Sequence, residues 1–496
     1  MKKLVILVGL LVMSFGCSDK ALDVSNKNDL TTENFYKTES DALKATNAAY
    51  SALASPNLYG RMMHAAQDMM SDETELTLAA SPEWMALREF ETDASNEVIT
   101  AIWTGAYQGI YRANLALERI PGIPMDENLK KRLLGEARFL RGLYYFILAT
   151  NYGDVPLIQK VVNVENNSER QPKRTPIAEV YEAILTDFAE AEKVLPTSYT
   201  GNDIGRVTQG AAKGFRAKAL LYRGNLTESK ADYARAAALF KEIIDSKVYD
   251  LMPDYHDNFT EAAENNRESL FEVQFSTTVD PGAFCDECGT GSLRALEFGV
   301  RGRAYNRIIP SLNLVAKFEP TDKRLLATVF GPQGSLFDGQ DYYLTLQYAN
   351  WGRIRPADYA ARKFQKDSGN EFAWTTGSGI NFRLMRFADV LLMYAEAQLE
   401  AQGVNDAVVA AVNRIRRRAG VAEVATVTQE SLRLERLLEL GLEGHRWRDL
   451  IRWKIAEETL LDQGRPFNRK KDYLFAIPAN ELKLNPNLTQ NPGWNF

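Results

Sequence analysis

Three glutamates near the C-terminus are the residues best placed, by type and spacing, to do chemistry. Glu435, Glu439 and Glu443 lie in SLRLERLLELGLEGHRWRDLIRW, residues 431–453, and Arg446 follows shortly after the last of them. A four-residue spacing predicts one continuous helix over residues 431–453 with an acidic stripe along one face. Two carboxylates in a cleft can act as general acid and base, whereas carboxylates beside guanidiniums can hold a fold together.

We favour the structural interpretation of this stripe. Leu434, Leu438 and Leu442 recur at the same spacing, so the helix should bury its leucines and leave the glutamates at the edge of the core. Charges at that depth are tolerated when they are paired. The arginines of the same segment that could pair with them are Arg436, Arg446 and Arg448. The helix is therefore predicted to hold the fold through ion pairs rather than to perform a reaction.

The composition bounds the class of protein. The chain has 496 residues, of which 45% are hydrophobic and 25% charged, so it can bury a large core. Its formal net charge is −6, and the most basic run, RIRRR at 414–418, closes an amphipathic helix, where cations suit the helix dipole. This pattern argues against a nucleic-acid partner.

The N-terminus has the pattern of an export signal. Lys2 and Lys3 precede a short apolar segment, Leu4–Phe15, which is too short to span a bilayer and ends just before Cys17. A signal that ends on a cysteine resembles a bacterial lipoprotein signal, so residues 1–16 are predicted to be removed and Cys17 to carry the lipid. The alternative is an ordinary signal peptide with an incidental cysteine.

The other two cysteines form a CxxC motif. Cys285 and Cys288 lie among glycines rather than at the start of a helix, as a thioredoxin-like redox site would require. A zinc site needs two more ligands at suitable spacing, and we predict neither a metal nor a cofactor. A local disulfide is the favoured interpretation, and a free pair of thiols is the alternative.

Helical periodicity covers most of the chain outside its middle. Two helical pairs, 207–224 with 233–244 and 387–401 with 406–418, resemble degenerate tetratricopeptide hairpins. The sequence predicts a mainly α fold: a helical-hairpin scaffold with a large irregular, partly β insertion. The predicted regions are the signal peptide 1–16, an N-terminal helical region 17–246, the insertion 247–380 and a C-terminal helical region with a tail, 381–496. The helices predicted elsewhere cover residues 33–53, 98–120, 129–152 and 177–195.

Four motifs together resemble a known family, the SusD/RagB nutrient-binding outer-membrane lipoproteins of Bacteroidetes. They are GEARFLRGLYYF…NYGDVPL (135–157), FRLMRFADVLLMYAEAQ (382–398), ERLLELGLEGHRWRDLIRW (435–453) and the terminal QNPGW (490–494). The family usually has tyrosine where Trp494 stands. Asp19 and Asp23, just after Cys17, resemble a surface-export signal of that phylum.

The resemblance implies a function in binding rather than catalysis. Family members are lipid-anchored at the cell surface, capture a nutrient that is commonly a glycan, and deliver it to a SusC-like TonB-dependent β-barrel in the outer membrane. We therefore expect oligosaccharide capture by a protein that is not an enzyme. One alternative is capture of peptides by the same architecture. Another, from a different class, is a lipid-anchored glycosidase.

The candidate ligand site follows from the chemistry of sugars, which stack on aromatic rings and bond to planar polar groups. Loops on a rigid scaffold usually carry such sites, so the insertion is expected to hold them. No residue is carried over from the family by motif. The alternative for each aromatic residue is packing of a loop onto the scaffold. The candidates are Trp84, Trp351, Trp374, Tyr342 and Tyr343 for stacking, with Asp68, Asp72, Arg353 and Arg355 as polar partners.

Overall fold

Antiparallel helices dominate the described part of the chain. The computed structural model describes residues 35–277, 291–301, 303–331, 336–337, 339–341, 359–367 and 377–494. The first helices are α1 (Glu39–Ala54), α2 (Met62–His64), α3 (Pro82–Arg88), α4 (Glu97–Arg119), α5 (Glu127–Tyr152), α6 (Asn167–Arg170), α7 (Ile177–Val194), α8 (Gln209–Thr227) and α9 (Lys230–Ser246). The later ones are α10 (Arg294–Phe298), α11 (Leu312–Val315), α12 (Arg324–Thr328), α13 (Phe387–Gln402), α14 (Asp406–Ala419), α15 (Gln429–Leu440), α16 (Arg446–Arg452), α17 (Ala456–Leu461) and α18 (Ala479–Leu484). The predicted mainly α fold is confirmed.

The strands are short and pair two by two in antiparallel fashion. Thr74–Leu76 (β1) pairs with Ile308–Pro310 (β3), and Ser269–Val273 (β2) pairs with Phe382–Arg386 (β8) across a bulge. The remaining pairs are Val329–Phe330 (β4) with Ala360–Ala361 (β7), and Leu336–Phe337 (β5) with Gln340–Asp341 (β6). Each pair joins the insertion to itself or to the scaffold.

The two predicted helical hairpins lie side by side. α8 packs against α9 and α13 against α14, and α9 in turn packs along α13. Residues 247–380 therefore leave the scaffold at the end of α9 and return at β8, directly before α13. The helices and β2 share one hydrophobic core around Phe139 of α5. The Phe139 ring contacts Phe188, Phe215 and Phe271, with ring centroids 5.2 to 5.4 Å apart. Among the described residues, none of the helices has the length and apolar content needed to cross a bilayer.

The first helix starts later than the sequence indicated. We expected it to begin near residue 33, but it begins at Glu39, because Thr38 and Asp41 form a reciprocal capping box. The Asp41 carboxylate accepts the Thr38 amide at 2.9 Å, and the Thr38 hydroxyl accepts the Asp41 amide at 3.3 Å. This capping box stabilises a helix start at Thr38, so Thr38 is the N-cap residue.

The predicted continuous helix over residues 431–453 is wrong: the chain breaks into α15 and α16 at residues 441–445. Leu442 and Gly444 adopt left-handed backbone angles, with φ of 63° and 75°. Distant carboxylates replace the lost helical acceptors, because Glu73 accepts the Leu442 amide at 3.1 Å and Asp68 accepts the Gly444 amide at 2.8 Å. The break is therefore stabilised by residues far away in the sequence.

The C-terminal tail is bonded to the end of α5. The side-chain Nδ2 of Asn491 donates to the carbonyls of Tyr152 and Phe475 at 2.9 and 2.7 Å. Gln490 exchanges two hydrogen bonds with the backbone of Ile477, at 2.7 and 2.9 Å. Trp494 donates its indole N–H to the Leu474 carbonyl at 3.0 Å. Two of the family motifs, NYGD and QNPGW, therefore meet in space.

Candidate ligand-binding surface

The acidic stripe lies at the centre of a buried ionic network, which we call the ionic hub. It comprises Glu435, Glu439, Glu443 and Glu268 with Arg324, Lys363, Arg386, Arg416 and Arg418. Glu439 is fully buried and pairs with Arg386 at 2.5 Å, with Arg324 at 3.4 Å and with Arg418. The paired guanidiniums outweigh the cost of burial and lower the pKa of Glu439 to about 2.

The same hub holds the break between α15 and α16. Lys363 donates to the carbonyl of Gly441 at 2.7 Å and to Glu443 at 2.8 Å. Burial lowers the pKa of Lys363 to about 8, although Glu443 opposes the shift. Arg386 bonds both oxygens of Glu443, at 2.7 and 2.8 Å. Each hub carboxylate is thus paired with at least two cations inside the fold.

The partners of the stripe differ from those expected. Arg436 pairs with Asp389 at 2.9 Å and with Asp449 at 3.0 Å, on the other side of the helix. Arg446 pairs with Asp72 at 2.6 Å. The predicted ion pairing of the stripe is present, but its cations come mainly from residues 324–418, because folding brings those segments onto this face.

Two predicted polar ligand residues are buried parts of the same region. Asp68 is fully buried and pairs with Arg294 at 2.6 Å, and Asp72, 2% exposed, holds Arg446. Both carboxylates also lie next to the α15–α16 break. Their hydrogen-bonding capacity is used within the fold, so they do not form a ligand surface in this conformation.

Trp84 is placed under the surface rather than on it. Its side chain is 1% exposed, and its indole N–H donates to Glu97 at 2.9 Å. The guanidinium of Arg61 lies over the ring, 5.1 Å from its centroid. Trp84 therefore supports Arg61 and offers no free ring face to a sugar.

An exposed polar surface lies beside it, formed by Arg61, Tyr305, Arg307 and Leu78 over the buried carboxylate of Glu297; we call it the Arg61–Arg307 surface. Leu78 adjoins Arg307 because the Thr77 amide donates to the Arg307 carbonyl and Arg307 donates to the Ala79 carbonyl. Glu297 accepts from Arg61 at 3.0 Å and from Arg307 at 3.1 Å. The guanidinium of Arg307 stacks on the ring of Tyr305 at 4.0 Å. The two arginine side chains keep 29% and 23% of their surface exposed, and Leu78 is fully exposed. Planar donors beside an aromatic ring are what a polyhydroxylated ligand requires.

This surface adjoins the insertion. The amide of Leu293 donates to the Gly60 carbonyl at 2.8 Å, directly before Arg61. Ser292 and Ser378 form an antiparallel bridge with two bonds of 2.8 Å, which brings residues 291 and 377 together at the same place. Trp374 precedes Gly377 by three positions in the sequence.

The remaining predicted site residues lie outside the described residues, so the structure does not place them. They are Cys17, Trp351, Trp374, Tyr342, Tyr343, Arg353 and Arg355, together with the predicted disulfide partners Cys285 and Cys288. Within the described ranges, no three side chains of His, Cys, Asp or Glu are grouped as a metal site requires.

Sequence reasoning missed the Arg61–Arg307 surface. Arg61 lies in a turn directly before α2, and Glu297 lies far along the chain in the insertion. The one local signal was the run RAYNR, residues 303–307, where an aromatic residue stands between arginines in an irregular stretch. Spacing alone could not pair this run with Arg61, because the two meet through Glu297 and the Leu293–Gly60 hydrogen bond, which joins residues far apart in the sequence.

Comparison with known proteins agrees with the architecture. A family model described as "SusD family" matches residues 302–494, and one described as "Starch-binding associating with outer membrane" matches residues 20–221. A "SusD-like protein P2" of Formosa agariphila is 27% identical, covering 98% of both chains. The "Starch-binding protein SusD" of Bacteroides thetaiotaomicron is 24% identical, covering 78% of this chain and 76% of its own. A solved "Laminarin binding SusD-like protein" is 25% identical with a TM-score of 0.79, covering 92% of this chain and all of the other.

Proposed function

This chain belongs to the SusD/RagB family, and we propose that it captures an oligosaccharide at the cell surface. The observation that carries the proposal is the Arg61–Arg307 surface. It combines exposed guanidiniums, a stacked tyrosine and an exposed leucine beside the insertion. Sugars need such a mixture, because each ring has an apolar C–H face and an edge of hydroxyl groups.

The ligand that we propose first is a neutral glucan. One relative with the same fold is named for binding laminarin, and another is named for binding starch. Both of these polysaccharides are neutral glucans. Neutral hydroxyls suit Arg61 and Arg307, whose charge is already balanced in part by Glu297. The aromatic platform that completes the site would come from the insertion, with Trp374 and Trp351 as the residues proposed, and with Tyr342, Tyr343, Arg353 and Arg355 beside them.

Binding without cleavage is the proposed mode of action. A glycosidase needs two carboxylates in a cleft, about 5–9.5 Å apart and open to a sugar. The acidic residues that first suggested catalysis are instead enclosed by cations: Glu439 is fully buried among three arginines. After incubation with laminarin, we therefore expect the protein to bind the glycan and to produce no new reducing ends. Steady release of product would establish the glycosidase alternative.

Delivery to a SusC-like TonB-dependent barrel and a lipid anchor on Cys17 complete the proposal. The anchor would tether the scaffold to the outer membrane, and the captured ligand would pass to the barrel. Replacing Cys17 by Ala should release the protein from the membrane fraction, as measured by fractionation and immunoblotting. Continued membrane association of the C17A variant would contradict the proposed anchor.

Affinity electrophoresis in gels that contain laminarin, starch or no glycan tests the capture itself. We expect wild type to be retarded by at least one glucan and the W374A and W351A variants to migrate faster, with an unchanged melting temperature. Y111A is the matched control, because Tyr111 is a 52% exposed aromatic residue on the helical scaffold. If both tryptophan variants behave like wild type across a glycan panel, the platform assignment is incorrect. Retention of peptides but no glycan would favour the peptide-binding alternative.

A further inference from the structure

A cavity with a different chemistry from the Arg61–Arg307 surface lies where the NYGD and QNPGW motifs meet. It has a volume of about 470 Å³ and is bounded by the C-terminal end of α5, by α7, α8 and α16, and by the C-terminal tail. Its walls are largely apolar and include Ile177, Leu226, Ile451 and Leu474. A volume of this size lies in the range of sites for small organic ligands.

Two arginines line this cavity without a carboxylate partner among the described residues. Arg174 donates to the carbonyls of Asp154 and Thr489 at 2.8 and 2.9 Å, and to the Asn491 side chain at 2.5 Å. Arg448 is 6% exposed and donates to the Thr150 carbonyl and the Asn151 side chain. Its Nε has no hydrogen-bond partner within the described part of the chain.

In the described part of the chain, most buried guanidiniums are neutralised by acids, and the buried Arg448 and the partly buried Arg174 differ from them. Arg324, Arg386 and Arg436, for example, each contact two or more carboxylates. Arg465 is also bonded only to carbonyls, but it does not line this cavity. Burial without a carboxylate partner lowers the pKa of Arg448 to about 10. Burial also lowers the pKa of Arg174, although the nearby Asp154 carboxylate opposes that shift.

The other charges of the cavity are already balanced. Arg452 pairs with Glu396 and Asp449, and Lys454 pairs with Glu228 at 2.8 Å. Asp154 supplies the single carboxylate of the lining, and it accepts the Ile177 amide at 2.7 Å. The carbonyl end of α5 contributes about half a negative charge. Two guanidiniums therefore face an apolar space with an excess of positive charge.

We propose that this cavity binds a small carboxylate with an apolar body, such as an aryl- or alkyl-substituted acid. The carboxylate would pair with Arg174 and Arg448, and the apolar body would lie against Ile177, Leu226 and Ile451. An inorganic anion would leave the apolar walls unfilled, and a neutral ligand would leave the two charges unbalanced. The site is independent of glycan capture, since it lies on the scaffold rather than beside the insertion.

Isothermal titration calorimetry of the full chain with 3-phenylpropionate tests the proposal. We expect saturable binding with one site, and binding of the neutral analogue 3-phenylpropanol that is weaker by about tenfold or more. Equal binding of acid and alcohol, or no binding of the acid at millimolar concentration, would overturn the proposal.

Two variants localise the binding. L226W should fill the cavity and reduce the affinity for 3-phenylpropionate by about tenfold. L461W is its matched control, because Leu461 is 51% exposed, Leu226 is 50% exposed, and only Leu226 lines the cavity.

R174Q should lose the preference for the acid over the alcohol. If R174Q does not fold, L226W alone decides the outcome, and equal affinity of L226W and L461W would refute the assignment. Laminarin retention by L226W should stay at the wild-type level, so a failure of either proposal can be distinguished from a failure of the other.

Discussion

The ionic hub and the Arg61–Arg307 surface both consist of arginines paired with glutamates, but the hub buries its charges and the surface leaves its arginines partly exposed. In the hub, Arg386 is 1% exposed and shares three buried glutamates with its neighbours. On the surface, Arg61 and Arg307 share one glutamate, Glu297, and keep part of their surface in solvent. In the hub every charge is committed within the fold, whereas at the surface donors remain available.

The difference shows that charge content does not separate structure from binding. A buried arginine must satisfy its donors inside the protein, so its neighbours are carboxylates and carbonyls. A partly exposed arginine held by one carboxylate is oriented and still has free N–H donors, so it can donate further bonds to a ligand. Four experiments test this contrast, from the largest expected effect to the smallest.

Removing a hub charge should have the largest effect. E439Q leaves Arg324, Arg386 and Arg418 with one fewer counter-charge in a buried setting, so we expect a loss of about 3–5 kcal/mol in the free energy of unfolding. Urea denaturation measures it. The control is E228Q, which breaks the exposed Lys454–Glu228 pair and should cost less than about 1 kcal/mol. Equal losses in both variants would contradict the contrast.

The stability difference between wild type and E439Q should also depend on pH. The pKa of Glu439 is lowered from 4.5 to about 2 in the folded protein. Its charge therefore stabilises the fold fully above pH 4.5, and this contribution is lost as the pH falls towards 2. We expect the difference in unfolding free energy to be constant from pH 7 to pH 5 and to shrink below that, as measured by urea titrations at each pH. A difference that does not change down to pH 3 would show that Glu439 acts through packing instead.

Removing a surface arginine should affect binding more than stability. In R61A, Glu297 keeps Arg307 as its partner, so the unfolding free energy should fall by less than about 1 kcal/mol. Glucan affinity should fall by about tenfold if Arg61 bonds the ligand, measured by affinity electrophoresis. R170A, at an exposed arginine on α6, should bind like wild type. Wild-type affinity in R61A would remove this surface from the site.

The smallest effect is expected at Glu264, which is half-buried and bonds the Asn381 amide at 2.7 Å. Burial raises its pKa from 4.5 to about 7. The protonated form therefore stabilises the fold below pH 4.5, and this contribution is lost as the pH rises through 7. Thermal melts of E264Q should vary less with pH between 5 and 8 than those of wild type. Identical pH profiles would show that Glu264 is solvated.

The helices could be predicted from sequence because their signals are local. The range predicted for α5, 129–152, differs from the observed Glu127–Tyr152 at its start, where the Asp126 side chain accepts the Asn128 and Leu129 amides. The break at residues 441–445 could not be predicted, since its backbone is bonded to Glu73 and Asp68, more than three hundred residues earlier. Local propensity favoured a continuous helix, and long-range hydrogen bonds outweighed it.

The candidate site was less predictable for the same reason. Trp84, Asp68 and Asp72 have the residue types of a sugar site, and only burial reveals that they support the fold. Arg61, Glu297 and Arg307 come from separate segments and acquire a shared role through one carboxylate.

By itself the sequence determined the helical class and predicted the hairpin scaffold and the family resemblance, because periodicity, caps and motifs are local features that extend over a few helical turns. The tertiary structure alone decided which charges are buried, which partners they have and which remain exposed. The physical reason is that desolvation and pairing depend on neighbours in space, and most of those neighbours are distant in the sequence.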